Sequence, residues 1–147
     1  MGAHPYWYFV PYQKDINKAL QELRQREFQA GRYNPVMRFP EFPVDTRFPS
    51  LGAQHESIAE AMAAADADGT RSILDIESIE DEPDFGVAGP LDDESLESYF
   101  ESTEPNHEAV EENMDFLAEI ERGHCVYIVV YKEGKTDEIF FAGYSYD

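Results

Sequence analysis

Fifty consecutive residues, Ser72–Glu121, carry eighteen Asp or Glu and no Lys or Arg. A carboxylate removed from water without a partner is costly. The commonest state of such a stretch is a solvated face that keeps its acids in water. The first 51 residues differ: seven basic and five acidic side chains give +2, so residues 52–147 hold −22 of the total −20. This one-sided negative field selects and steers cationic partners. It repels phosphates, which argues against nucleic acid as a direct ligand, and it argues equally against an anionic membrane surface.

The apolar content of 42% and aromatic content of 14% suit a folded domain, and 147 residues suit one domain with an ordinary core, 1–147. Cys125 is the only cysteine, which excludes an internal disulfide and fits a reducing cytoplasm. No secretory leader is expected, because the apolar run Tyr6–Val10 is short and ends at Pro11. No run reaches transmembrane length.

His4–Tyr12 reads as a strand, aromatic on both faces and therefore buried. Asp15 caps a helix to about Ala30, with Ile16, Ala19, Leu20 and Leu23 on one stripe and Gly31 as the stop. Residues 32–54 lack either period. Their prolines and three Phe-Pro pairs predict an extended loop carrying Arg32, Arg38 and Arg47. Helical spacing recurs over Glu56–Asp68, and Thr70–Ile79 reads as a strand. Residues 80–105 form an acidic segment open to mobility. It begins with a turn-rich link, Glu80–Pro90, and continues into a short helix over Asp92–Ser102 that buries Leu96, Tyr99 and Phe100. A longer helix runs from Thr103–Pro105 to about Arg122, with Val110, Met114, Leu117 and Ile120 inward. His124–Lys132 and Thr136–Tyr146 form a hairpin through Glu133-Gly134, with a bulge at Ala142-Gly143. The class is α+β: about four strands, mostly antiparallel, with helices packed on one face and a C-terminal β-hairpin.

No catalytic signature emerges, and the reading leans away from an enzyme. Asp66-Ala67-Asp68-Gly69-Thr70 spells the nucleophile motif of haloacid-dehalogenase-like phosphatases, but it follows a helical run and precedes Arg71, so it reads as a helix end. As a calcium loop it has Ala64 in place of the first ligand. His107 and Glu111 have metal-ligand spacing without a second pair, and His55-Glu56 stands alone, so both read as solvated faces. His124 and Cys125 are strand neighbours pointing oppositely, which makes Cys125 a core thiol. No metal ligand set and no cofactor are expected.

Glu27-Phe28-Gln29-Ala30-Gly31-Arg32-Tyr33 and Gly69-Thr70-Arg71-Ser72-Ile73-Leu74-Asp75-Ile76 resemble segments of a family of small bacterial proteins. The resemblance covers about a third of the chain. It implies a bacterial cytoplasmic origin and no particular activity.

Three readings of function remain. The first is a non-catalytic interaction module of inhibitor or immunity type. Its acidic face (Asp92, Asp93, Glu94, Glu97, Glu101, Glu108, Glu111, Glu112, Asp115) docks a basic protein, with Tyr99 and Phe100 as the nearest aromatic anchors. The second is a site for a small anionic ligand or substrate, built from Tyr6, Trp7 and Tyr8 with Arg32, Arg38 and Arg47. Against it, these arginines with Arg24 and Arg26 serve equally to neutralise acids internally. The third gives the acidic face no role beyond solubility. Homo-oligomerisation through the aromatic C-terminal hairpin is compatible with any of them.

Overall fold

The computed structural model describes residues 4–37 and 52–146. Arg38, Arg47 and most of the expected proline-rich loop therefore lie outside the described residues. The architecture is a mixed α+β domain around a five-stranded sheet in the order β1-β5-β4-β3-β2. The strands are β1 (Pro5–Pro11), β2 (Ser78–Ile79), β3 (Val87–Pro90), β4 (Cys125–Lys132) and β5 (Lys135–Tyr144). The helices are α1 (Ile16–Ala30), α2 (Ile58–Ala65), α3 (Asp93–Phe100) and α4 (His107–Glu112).

Local chemistry accounts for much of this. The Asp15 side chain accepts the Lys18 amide at 3.1 Å to start α1, and Gly31 at φ 76° closes it. At the hairpin tip Glu133 and Gly134 both have positive φ, 52° and 78°, the two-residue turn whose twist matches antiparallel strands. The bulge lies near the tip and not at Ala142-Gly143. Val130 faces Glu138 and Tyr131 faces Thr136, so β5 carries one extra residue, Asp137.

The sheet departs from the expected pattern in three ways. First, it has five strands, because the acidic link contains β3. Second, β2, β3 and β4 run parallel, and the β3–β4 crossover carries α3 and α4. Third, helices cover both faces. On one face Tyr6, Tyr8, Val10, Ile139, Phe141 and Cys125 pack with Leu20 and Leu23 of α1 and with Ile73, Leu74 and Ile76. On the other, Val126, Ile128, Val130 and Phe140 pack with Leu96 and Phe100 of α3, Val110 of α4, and Phe116 and Leu117. Strands buried on both sides lose the polar–apolar alternation that would have revealed this.

Thr70–Ile79 is not one strand. Ile73–Asp75 forms a single 3-10 turn capped by Ser72, and only Ser78–Ile79 joins the sheet. The long helix expected to reach Arg122 breaks at Asn113, whose side-chain amide turns back to Ala109 O at 2.7 Å. A 3-10 stretch over Met114–Glu119 follows and buries Phe116 and Leu117, leaving Met114 and Ile120 half-buried. The C-terminal hairpin sits inside the sheet, flanked by β1 and β3, so its exposed part is the tip at residues 132–137.

Candidate functional site

All nine carboxylates of the expected acidic face are exposed; six lie in α3 and α4, and Asp92 and Glu101 are the caps of α3, on the same side of the sheet. Asp92 caps α3 by accepting the Ser95 amide at 2.7 Å, and that donor holds its carboxyl below the usual range. Burial of Leu96 and Phe100 turns Asp93, Glu94 and Glu97 outward. Burial of Val110 does the same for Glu108, Glu111 and Glu112 on α4, and Asp115 follows in the 3-10 stretch. Among the described residues the one ionic partner of the nine is His107, 3.1 Å from Glu111. The field of this layer is therefore left almost uncompensated.

Phe100 is buried and Tyr99 packs edge-on against Phe116, with centroids 5.9 Å apart, so neither projects as an anchor. Among the described residues the aromatic side chain standing furthest out is Phe85, 60% exposed, in the loop between β2 and β3. Glu80, Asp81, Glu82, Asp84, Phe85 and Val87 line an open groove of about 670 Å³. Behind it, the Phe85 ring stacks on Tyr146 with centroids 4.6 Å apart.

Of the expected anion pocket, Arg38 and Arg47 lie outside the described residues, and the described members Tyr6, Trp7, Tyr8 and Arg32 do not share one face. Tyr6 and Tyr8 point into the core beneath α1, whereas Trp7 projects to the opposite side of β1 and is 40% exposed. The Arg32 guanidinium clasps the fully buried Glu27 through two bonds of 2.8 and 2.7 Å, and Arg26 reaches the same carboxylate at 2.9 Å. Arg24 is buried against α2 and donates to Leu74 O at 2.9 Å. These three arginines serve the core.

The acidic stretch has one exception to its outward rule, and sequence reasoning missed it. Asp75 is 2% exposed. Its Oδ1 accepts both the amide and the hydroxyl of Thr70, each at 2.8 Å. Thr70 Oγ1 is in turn 2.9 Å from Ser72 Oγ. Asn34 fixes this turn from the end of α1, donating its amide to Thr70 O at 2.8 Å and its side-chain nitrogen to Gly69 O at 2.9 Å. Asp75 Oδ2 makes no hydrogen bond to any described residue. Tyr6 of β1, Arg24 of α1, Arg71 and Tyr146 surround the carboxyl, and Tyr146 donates to its main-chain oxygen at 3.4 Å. Burial pushes this carboxyl up to about 6, against the pull of the Thr70 donors, the nearby Arg71 amide and the Arg24 charge. The signal in the sequence was a lone acid inside an apolar run, Ile73-Leu74-Asp75-Ile76, with Thr70 and Ser72 just before it.

The remaining candidates resolve as structural features. Asp66 and Asp68 lie exposed on a short 3-10 turn. His55 Nδ1 is 2.7 Å from Tyr33 Oη. His107 stacks on Phe9 with centroids 3.9 Å apart and holds Glu138 at 2.7 Å and Glu111 at 3.1 Å. These carboxylates sit on different ring nitrogens and cannot chelate one ion with it. Partial burial lowers the imidazole pKa, but the two carboxylates outweigh it and the net shift is upward. Burial pushes the Cys125 thiol up, so it stays protonated. Among the described residues no three His, Cys, Asp or Glu side chains are placed to hold a metal ion, and no helix is long and apolar enough to cross a membrane. Comparison with protein-family models, curated proteins and solved structures found no match.

Proposed function

We propose that this protein is a non-catalytic docking module for a basic protein, of the inhibitor or immunity type, acting in a bacterial cytoplasm through the α3–α4 layer. The observation that carries this reading is the set of nine exposed carboxylates named above for the acidic face, of which Glu111 alone has an ionic partner among the described residues. An ordinary soluble surface intersperses charge of both signs; here one sign covers a whole layer. Charges of this kind act mainly on association rate and partner choice.

The test is pull-down from native lysate with salt elution, followed by kinetics on the purified pair. The association rate should fall about tenfold or more between low and high salt, as expected for steered encounters. Glu94→Gln, Glu97→Gln, Glu108→Gln and Glu112→Gln together should reproduce that fall at low salt. A partner whose association ignores both salt and the quadruple variant would refute the reading.

A further inference from the structure

The single ionic contact within the acidic face is made by a titratable side chain. His107 opens α4, and its ring stacks on Phe9 of β1 with centroids 3.9 Å apart. In that position Nδ1 lies 2.7 Å from Glu138 of β5, and Nε2 lies 3.1 Å from Glu111, one turn further along α4. Among the described residues these two carboxylates are the charged groups that face the ring; β1 presents the uncharged Phe9. A carboxylate only accepts hydrogen bonds, and a neutral imidazole has a single N–H. Both contacts are therefore satisfied together only by the imidazolium, which donates from each nitrogen. Once the ring is neutral, one carboxylate goes without its donor. The Glu138 side chain is nearer and 24% exposed, whereas that of Glu111 is 66% exposed and regains water readily. The remaining proton then stays on Nδ1, and the Glu111 contact is the one that breaks.

We infer that His107 is a proton-dependent occupant of the acidic face: charged, it holds Glu111 against a partner's cation, and neutral, it releases Glu111 to that cation. This rests on the docking reading above and adds its dependence on pH. Partial burial lowers the imidazole pKa, and the two carboxylates together outweigh it. A partner lysine or arginine that takes Glu111 removes part of that upward pull. The complex thus holds the His107 proton less tightly than the free protein does, so docking releases protons and tightens as pH rises through the titration of His107.

The first test uses the protein alone and follows the ring-nitrogen resonances of His107 through its titration. Both nitrogens should carry protons in acid, and Nε2 alone should lose its proton as pH rises. Glu111→Gln should lower the midpoint. A neutral ring protonated at Nε2, or a midpoint unmoved in Glu111→Gln, would overturn the inference. The second test measures affinity for the salt-released partner from about pH 6 to about pH 8, in wild type and in His107→Phe, which keeps a ring against Phe9 and carries no charge. Wild type should tighten by about twofold to fivefold more than His107→Phe over that range, the effect of one exposed ion pair. One pH curve shared by both proteins would overturn the inference. If that occurs while the quadruple glutamine variant still loses the partner, the proton linkage falls and the docking reading stands. A partner that ignores the quadruple variant in both proteins would instead sink the docking reading itself.

Discussion

Replacing Asp75 by Asn should raise the stability of this protein relative to wild type as pH climbs from acid to neutral, by an amount set by the shift of the Asp75 carboxyl. Folding moves the carboxyl from its ordinary 3.8 up to about 6, because burial outweighs its donors. The folded state thus holds this proton more tightly than the unfolded chain does. Its contribution to stability is fully present below about pH 3.8 and is lost as pH rises through 6. A shift of that size corresponds to about 3 kcal/mol between the two limits, at 1.36 kcal/mol per pKa unit. Asn keeps an oxygen for the two Thr70 bonds of 2.8 Å and never ionises. Whatever the change does to packing is a constant offset across pH. Urea unfolding of both proteins at intervals from pH 4 to pH 8 would yield the difference curve, in which all other carboxylates cancel. The stability of Asp75→Asn minus wild type should climb by about 3 kcal/mol between acid and pH 8, with most of the rise between about pH 3.8 and 6 and a plateau above. A difference that is flat across that range would show that Asp75 titrates alike folded and unfolded, and the buried-carboxyl argument would fail.

Two further outcomes follow from the same physics. Arg32→Ala should cost about 3 kcal/mol in urea unfolding, since it strands a buried Glu27 that keeps only Arg26; adding Glu27→Gln should recover part of that loss, and a change under about 1 kcal/mol would contradict the buried pairing. His107 has a raised folded pKa, so its ion pairs stabilise below 6.5 and fade as pH rises through the folded value; its imidazole resonances should titrate above 6.5, and Glu138→Gln should bring the midpoint down, whereas no movement would dismiss the 2.7 Å contact as the cause.

What the sequence by itself determined was local and periodic. The aromatic strand, the Asp15–Gly31 helix and the Glu133-Gly134 hairpin each carry their own signal within a few residues, in a cap, a stripe or a turn dipeptide. The outward acids of α3 and α4 were legible for the same reason, because inward Leu96, Phe100 and Val110 fix which side meets water. Tertiary structure decided what depended on distant neighbours. β3 has the unpromising sequence Val87-Ala88-Gly89-Pro90 and becomes a strand because β2 and β4 flank it. Gly89 is required by close approach, since a Cβ there would sit 2.3 Å from the Glu82 carbonyl carbon. Helices cover both faces because β4 and β5 are apolar throughout, a pattern that says buried without saying by what. Asp75 entered the core although its neighbours in sequence are acids in water. Thr70 donors, the Arg24 charge and the rings of Tyr6 and Tyr146 arrive from four parts of the chain, and their convergence exists only once the chain has folded.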